Sequence, residues 1–327
     1  MSTGTQQKKV KEYNKVFEEK DIDKRLKKAQ NVTDNFYDLI TKFYEKGWGD
    51  SFHFAPRHKG ESFKASIIRH EQYLAAKLGI SGDDKVLDVG CGIMGPARNI
   101  ARLTGAHITG LTINQYQVDR ANELNEKAGL GHLLEARQGD YMDIPWPDNT
   151  FDKMYAIESL CHAPDLLGVY KQILKKLKPG GKAAFYQWAA NEKYDPSNLE
   201  HVRIKEQVEY GNSICKLYTT SEINETLEKA GFVIEETSDL TQTNTGNDVP
   251  WYGTLKSGWS LKQIRQTKAS RTIMKGVFTV SEAIGLVKKG VVKTQKILLV
   301  AADSLVEAGE KGIFTPMYLI VVIKPEG

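Results

Sequence analysis

From residue 85 onward, short apolar runs alternate with segments whose apolar residues recur at helical spacing. The runs have the length and composition of buried strands, whereas the segments between them have the period of amphipathic helices. Strands joined by helices form a mostly parallel sheet that is covered on both faces, so the pattern predicts an α/β fold. The predicted strands are residues 85–90, 107–112, 133–140, 153–159, 182–188, 232–238 and 317–323, and the predicted helices are 115–128, 166–177, 221–230 and one that begins at Pro96.

Regions on either side of this alternation predict additional helices. Residues 12–46 carry helical periodicity, and residues 62–79 have the pattern of an amphipathic helix. A polar and aromatic stretch, residues 44–58, lies between them. A helical insertion over residues 257–311 precedes the last apolar run.

Composition and charge narrow the class of protein. The 327 residues are 40% hydrophobic and 26% charged, as in a globular enzyme with a large core. The net charge is +4, and no basic stripe is interleaved with aromatic residues, so we expect no nucleic-acid partner. The one dense basic run, within residues 8–28, is either a solvated helix face or a weak attraction to an anionic membrane surface.

Cysteine usage and the first residues predict the compartment. The chain has three cysteines and no CxxC pair, which indicates free thiols in a reducing environment. Residues 1–15 lack the apolar centre of a signal sequence. We therefore expect a cytoplasmic protein with at most peripheral, transient contact with the endoplasmic reticulum membrane.

The most informative candidate site is the segment VLDVGCGIMG, in which a predicted strand runs into Gly90, Gly92 and Gly95. The first glycine of such a loop permits a tight turn, the second permits close approach of the backbone to a nucleotide, and the third permits packing of the helix on the strand. Asp88 lies inside the strand, two positions before Gly90, which disfavours a dinucleotide dehydrogenase. The segment resembles the (V/L)LDxGxGxG form of S-adenosylmethionine (SAM) methyltransferases. The alternative is a tight turn without a ligand.

Within this loop, the backbone at Cys91 is expected to pass under the methionine part of SAM. Asp88 can organise the loop or reach the ammonium group of SAM through water. Met94 stands where methyltransferases of the family named below usually have glycine, and we expect its longer side chain to crowd the loop.

The ends of the next two strands complete the predicted cofactor site. Thr112 occupies the place where a dehydrogenase carries a carboxylate for the ribose hydroxyls. Gln115 or Gln117 supplies the missing contact, unless both are surface residues at a helix N-terminus. Asp140 follows the third strand, where a carboxylate can accept the adenine amino group with Tyr141 beside the ring. The alternative for these two residues is a simple turn.

Eight further motifs lie outside the glycine loop: YEKGWG (44–49), SFHF (51–54), GESF (60–63), RHE (69–71), AIE (156–158), CHAP (161–164), VPWY (249–252) and FTPM (314–317). With these long and rare motifs, the chain resembles the sterol C-methyltransferases from about residue 30 to its end. The resemblance implies a Rossmann-like class I methyltransferase core with a seven-stranded, mostly parallel sheet. Its last strand runs antiparallel beside the edge of the sheet. The cofactor is SAM, no metal is needed, and the partner is a sterol.

The resemblance also implies a division of the chain into three regions. Residues 1–60 form an N-terminal helical and aromatic segment that caps the substrate. Residues 61–245 form the SAM-binding core, and residues 246–327 form a C-terminal region that includes the last core strand. The helices of this C-terminal region could also form a homo-oligomer interface.

Aromatic residues in the flanking motifs are the candidates for binding the acceptor. Methyl transfer from a sulfonium needs a close, dry and in-line approach by an electron-rich carbon, so positioning supplies most of the acceleration. Ring faces can wall off a sterol and stabilise cationic character. The alternative for an aromatic run is a packed core. The predicted acceptor-binding aromatic residues are Trp48, Phe52, Phe54, Trp251 and Tyr252.

Three residues are candidates for the chemistry itself. Glu158 and His162 follow the fourth strand, at the carboxyl edge of the sheet where open α/β folds bind ligands. At a spacing of four they would share a helical face if a turn follows, and the pair could remove the proton that leaves after methylation. A structural His–Glu contact is the alternative. Tyr44 is a catalytic candidate through its ring face.

Three departures from the pattern of carbon-24 methylation give a narrow preference for carbon 4 of the sterol nucleus. Lys46 replaces an aromatic residue, Gln187 replaces a glutamate, and residues 112–117 differ from the usual asparagine-rich segment. Lys46 and Gln187 are also assigned to the acceptor site. An ammonium group would oppose a carbocation, and the nematode branch methylates carbon 4. The alternatives are carbon-24 methylation, methylation of another lipid or isoprenoid, and a non-catalytic sterol-binding protein.

Overall fold

The computed structural model describes residues 12–29, 49–242, 248–256 and 291–326. Seven strands form one twisted sheet, in the order β3-β2-β1-β4-β5-β7-β6. Five of them, β3 to β5 across the sheet, are parallel, and β7 is antiparallel to both of its neighbours. The strands are β1 (Lys85–Val89), β2 (His107–Thr112), β3 (Leu134–Gln138), β4 (Phe151–Ile157), β5 (Leu177–Ala190), β6 (Val233–Asp239) and β7 (Phe314–Ile323). The predicted seven-stranded, mostly parallel sheet with an antiparallel last strand is confirmed.

Helices cover both faces of this sheet. One apolar layer lies under α1 to α3 and the other lies under α4 and α6, as expected for a mostly parallel sheet. The prediction misses α5, in which few side chains are buried and the apolar stripe is correspondingly weak. The helices are α1 (Phe63–Leu78), α2 (Gly95–Thr104), α3 (Gln115–Lys127), α4 (Leu166–Lys176), α5 (Leu199–Gly211), α6 (Thr220–Ala230) and α7 (Val291–Lys311).

The strand order places a ligand crevice beside β1. After β1 the chain continues outward through β2 and β3, and it then returns to the other side of β1 with β4. This reversal opens a crevice at the carboxyl ends of β1 and β4, where open α/β sheets bind ligands. Gly90 follows β1 at this edge and Glu158 follows β4, so both sequence motifs lie at the same crevice.

The predicted helix over residues 12–46 is interrupted in its described part. Residues 12–17 form one helical segment, and a second, Ile22–Leu26, begins where the Asp21 side chain accepts hydrogen bonds from two backbone N–H groups. The remaining residues of the prediction, 30–46, lie outside the described residues. An aspartate cap starts a new helix and therefore ends the continuity that periodicity alone would predict.

The aromatic segment of residues 50–54, hereafter the docking segment, packs directly on the start of α2. A Cβ atom built on Gly95 would overlap the backbone carbonyl of Asp50 and the hydroxyl oxygen of Ser51. Arg98 donates a hydrogen bond to the Asp50 carboxylate at 3.1 Å. The third glycine of the loop therefore accommodates the docking segment, in addition to the helix–strand packing that the sequence predicts.

A short antiparallel bridge joins the stretch after the docking segment to a distant part of the chain. Arg57–His58 pairs with Asp248–Val249, and the His58 ring contacts the Asp248 carboxylate at 2.7 Å. This bridge brings the SFHF motif next to the PWY motif, although about 190 residues separate them in sequence.

We expect Gly95→Ala to destabilise the protein by about 1–3 kcal/mol, the usual cost of adding a methyl group to a filled site. The added methyl would overlap backbone and would push the docking segment away from α2. Urea unfolding measures this change. Gly253→Ala is the matched control, because its Cβ would meet only a Val249 methyl at 3.3 Å. Equal stability of the two variants would contradict the proposed packing.

Candidate active site

A pocket at the carboxyl edge of the sheet contains most of the predicted cofactor residues. It encloses about 850 Å³ of atom-free space, including its open mouth. Segments from five places in the chain form its wall: the docking segment, the glycine loop, the β2–α3 turn, Tyr141 and the turn after β4. The predicted site residues that line it are Phe52, Asp88, Gly90, Cys91, Gly92, Thr112, Gln117, Tyr141, Glu158 and His162.

The structure requires glycine at the first two glycine positions of the loop for different reasons. Gly90 has φ +82°, and a Cβ there would overlap the Ser159 side chain. The backbone N–H groups of Gly90 and Cys91 both donate to Leu111 O, at 2.9 and 3.0 Å, which fixes the turn. Gly92 has φ +51°, and the nearest atom to its Cβ would be in the Phe52 ring at 3.9 Å. Gly92 thus leaves pocket space that a side chain would fill, as close approach of a ligand requires.

Asp88 is buried beneath the loop. Its carboxylate accepts a hydrogen bond from the Tyr155 hydroxyl at 3.1 Å. Burial raises the pKa of Asp88 to about 7, and the Tyr155 hydrogen bond opposes this rise only in part. A buried carboxyl group with a raised pKa is a group that a cationic ligand would stabilise in its ionised form. These residues fit the ammonium end of SAM.

Residues at the end of β2 line another wall of the pocket. The Thr112 hydroxyl donates to Gln117 Oε1 at 2.7 Å, and Asn114 caps α3 by accepting from Gln117 N at 3.1 Å. Gln117 is buried, whereas Gln115 contacts the exposed side of its own helix through Asp119. Of the two glutamines, the geometry brings Gln117 to the pocket.

The third strand ends in a short turn that the Asp140 side chain caps by accepting from Met142 N at 2.8 Å. Tyr141 lines the pocket beside it, while Asp140 lies just outside the lining residues. The adenine-binding role of Asp140 stays a prediction.

The Met94 side chain, which the sequence predicts to crowd the loop, does not line the pocket. Its backbone is left-handed, with φ +58°, which accounts for glycine at this place in related loops. Its side chain is fully buried behind the loop, where the Asn125 amide lies 3.3 Å from the sulfur. Burial of the Met94 side chain in the core therefore offsets the cost of its left-handed backbone.

Glu158 occupies a strained position in the pocket wall. It has φ +53°, and non-glycine residues in this region cluster at functional sites. Its two carboxylate oxygens accept from Phe54 N and from Trp188 Nε1, each at 2.7 Å. Burial raises the pKa of Glu158 to about 8, although the charge of His53 and these two donors lower it.

His162 also lines the pocket, but it does not pair with Glu158. The residues between them form a short 3-10 turn, Leu160–His162, instead of the α-helical face that the spacing predicts. His162 Nδ1 contacts Ser213 O at 3.1 Å, and burial lowers the pKa of His162 to about 4. The shared helical face that the spacing predicts is therefore absent from this turn, and both residues line the pocket.

An aromatic cluster packs behind Glu158. Phe54 lies edge-on to Trp251, with ring centroids 5.1 Å apart, and Trp188 lies edge-on to Phe314 at 5.4 Å. Tyr252 packs edge-on to Trp251 at 5.5 Å, where its ring fits against the bare backbone of Gly309 in α7. Trp188 of this cluster donates the hydrogen bond to Glu158. The cluster joins three of the predicted acceptor residues, Phe54, Trp251 and Tyr252.

The remaining predicted acceptor residues fall in other places. Phe52 faces the glycine loop and lines the cofactor side of the pocket. Gln187 is buried in β5, has no hydrogen-bond partner among the residues that the structure describes, and does not line the pocket. Tyr44, Lys46 and Trp48 lie outside the described residues.

The sequence prediction overlooks a buried polar network that holds the docking segment. Glu71 of α1 accepts from Ser51 Oγ at 2.6 Å and from Asn99 Nδ2 at 2.6 Å. The two ring nitrogens of His53 face Phe54 O at 2.7 Å and Glu71 Oε1 at 3.0 Å. The SFHF and RHE motifs contain these residues, but only the fold brings them together.

Within the ranges that the structure describes, no group of three His, Cys, Asp or Glu side chains could hold a metal ion. Over the same ranges, no helix is long and apolar enough to cross a membrane.

Solved structures of other proteins share this fold. The [4+2]-cyclase SpnF matches with a TM-score of 0.68 at 22% identity, covering 91% of this chain and 97% of that one. The geranyl diphosphate C-methyltransferase of Streptomyces coelicolor A3(2), solved with S-adenosyl-L-homocysteine, has a TM-score of 0.66 at 15% identity, covering 90% and 97%. A methyltransferase-domain family model matches residues 87–185. The protein has the class I fold and is a SAM-dependent methyltransferase.

Sequence relatives then define the family. The sterol 24-C-methyltransferase of Kluyveromyces lactis is 44% identical over 93% of this chain and 83% of that protein. The cycloartenol-C-24-methyltransferase of Arabidopsis thaliana is 44% identical over 95% and 92%. The family model described as sterol methyltransferase C-terminal matches residues 261–326. The chain belongs to the sterol methyltransferase family.

We expect Gly92→Ala to weaken SAM binding at least ten-fold, about 1.4 kcal/mol, because its methyl would occupy pocket space where the backbone approaches the ligand. Isothermal titration calorimetry with SAM measures the affinity. Gly129→Ala controls for backbone strain, since Gly129 also has positive φ, with nothing within 4 Å of its Cβ, and lies outside the pocket lining. Equal weakening in both variants would mean that strain alone acts.

Stability should fall as the pH rises above about 5, and the fall should end at about pH 8. Asp88 and Glu158 have folded-state pKa values raised to about 7 and about 8, so their contributions are complete below their unfolded values and are lost as the pH rises through the folded ones. Glu158→Gln should reduce this fall by on the order of 1–2 kcal/mol, measured by urea unfolding at several pH values.

The quantity to compare between variants is the slope of unfolding free energy against pH. Absolute stabilities differ in any case, because glutamine cannot accept from both Phe54 and Trp188 and the variant starts less stable. Glu61→Gln is the matched control. Arg69 lowers the pKa of Glu61 to about 2, so this group does not titrate in the window and its variant should keep the wild-type slope. A wild-type slope in Glu158→Gln would contradict the raised pKa assigned to Glu158.

Proposed function

We propose that the protein transfers the methyl group of SAM to carbon 24 of a sterol, at a double bond of the side chain. The support for the acceptor comes from the relatives, whose printed names are sterol 24-C-methyltransferase or cycloartenol-C-24-methyltransferase at about 44% identity. The observation that carries the proposal is the Glu158 carboxylate, which joins the SAM pocket to an apolar aromatic cluster.

The chain's own residues supply orientation, dryness and charge for this reaction. SAM, when bound, supplies an electrophilic methyl group on a sulfonium. The docking segment closes one side of the pocket with Phe52, and Trp251 and Phe314 exclude water behind Glu158. An ionised Glu158 stabilises positive charge that develops on the acceptor, and the neighbouring ring faces add about 0.5–2 kcal/mol per contact.

A proton must leave the acceptor after the methyl group has been added. Glu158 and His162 both line the pocket and are the two candidate proton acceptors. Because burial lowers the pKa of His162 to about 4, its ring is neutral at physiological pH and can accept a proton. Glu158, with a pKa raised to about 8, is basic enough to compete for the same role.

The comparisons give no support to the sequence-based preference for carbon 4. That preference depended on three departures from the carbon-24 pattern. Thr112 pairs with Gln117 beside the cofactor loop, Gln187 lies off the pocket wall, and Lys46 lies outside the described residues. The support for carbon 24 therefore comes from the printed names of the relatives.

Incubation with methyl-labelled SAM and two sterols, followed by mass spectrometry, tests the proposal. One sterol carries the side-chain double bond at carbon 24 and the other has a saturated side chain. We expect label in the unsaturated sterol alone, because only its side chain offers electrons to the methyl group. Label in the saturated sterol would move methylation to the nucleus, as at carbon 4. SAM binding without label in either sterol would favour another lipid acceptor or a binding protein.

A further inference from the structure

Each ring nitrogen of His53 faces an oxygen atom, one in a backbone carbonyl and one in the Glu71 carboxyl group. Nδ1 lies 2.7 Å from the backbone carbonyl of Phe54, and Nε2 lies 3.0 Å from Glu71 Oε1. A neutral imidazole carries only one N–H group, so it could donate to one of these acceptors but would face the other with a lone pair. The ring is also 2% exposed, so water cannot relieve such a mismatch.

The surroundings of Glu71 favour its role as an acceptor. Ser51 donates to the same oxygen that faces His53, and Asn99 donates to the other oxygen. A proton on this carboxyl group would compete with these donors. The hydrogen-bond pattern is therefore satisfied when Glu71 is a carboxylate and His53 carries both protons.

We propose that Glu71 holds His53 as an imidazolium, and that His53 is a positioning residue that keeps Glu158 able to ionise in its buried site. The connection runs through one residue. The Phe54 carbonyl accepts from His53, and the Phe54 N–H donates to Glu158. This inference rests on the proposed role of Glu158 in methyl transfer.

The charges around His53 agree with this arrangement. Burial disfavours its charged form, but the Glu71 hydrogen bond and the charges of Glu71 and Glu158 outweigh burial and raise the pKa of His53. His70, next to Glu71 on α1, and Asp88 on β1 also face this charge. Burial lowers the pKa of His70 and the His53 charge lowers it further, while the same charge limits the rise of the Asp88 pKa. Glu71, His53 and Glu158, all ionised, together carry one net negative charge, which complements one cationic group in the pocket.

Nitrogen-15 NMR of the histidine rings in the full-length wild-type protein tests the protonation state directly. We expect both ring nitrogens of His53, assigned by comparison with His53→Gln, to remain protonated up to pH 8. In Glu71→Gln we expect His53 to lose a proton below pH 7. A singly protonated His53 in the wild type at pH 7 would overturn the proposal, whether or not any sterol is methylated.

The pH dependence of methyl transfer tests the effect on Glu158. In Glu71→Gln the acid limb of the kcat profile should move up by about one pH unit, because Glu158 loses the cation that favours its ionisation. Asn99→Ala removes a different donor to Glu71 and should lower stability without moving that limb. Equal shifts of the acid limb in Glu71→Gln and Asn99→Ala would mean that the network around Glu71 has only a structural role. If labelling fails while the NMR result stands, the acceptor proposal fails and the protonation inference survives.

Discussion

The buried carboxylate of Glu71 organises the side of the pocket that the Rossmann-like core does not itself provide. A buried carboxylate is costly unless donors satisfy both of its oxygens, and here Ser51, His53 and Asn99 do so. Two of these donors belong to the docking segment and the third belongs to α2. The requirement to satisfy one anion therefore fixes an otherwise irregular stretch of chain against the cofactor loop. Removal of any donor would leave a buried carboxylate oxygen with one hydrogen bond fewer to offset its desolvation. The docking segment and the Glu71 carboxylate therefore stabilise each other.

From this anchor follows the geometry on both sides of the pocket. Phe52 is brought opposite Gly92, on the cofactor side, and the Phe54 N–H group is brought to Glu158, on the acceptor side. Glu158 itself sits at positive φ, a strained conformation that persists only when the surroundings over-determine it. Its two hydrogen bonds, to the docking segment and to Trp188 in β5, supply that constraint. The catalytic candidate thus lies where two separately anchored elements meet.

The sequence predicts the sheet well because strand runs and turn glycines are local signals, and the loop from Asp88 to Gly92 lines the pocket as expected. The sequence-based prediction is wrong where contacts between residues distant in sequence determine the geometry. The spacing of Glu158 and His162 predicts a shared helical face, but the backbone turns at Glu158 and each side chain finds another partner. Met94, which the sequence predicts to crowd the loop, has a left-handed backbone and a side chain buried in the core. The histidine that lies beside Glu158 is His53, which no spacing rule connects to it.

Charge explains why two carboxyl groups are buried in one pocket. Methyl transfer begins with a positive charge on the sulfonium and, in attack by a double bond, ends with a positive charge on the acceptor. Asp88 and Glu158 have raised pKa values, so without a cation each group is partly protonated near neutral pH. A cation beside either group would favour its ionised form again, by the same electrostatic coupling that burial weakens. Carboxylates whose charge the protein balances only in part are therefore suited to a positive charge that arrives with one ligand and moves to another. His53 favours the ionised form of Glu158, but the Glu71 carboxylate offsets its charge, so the three ionised groups keep one net negative charge.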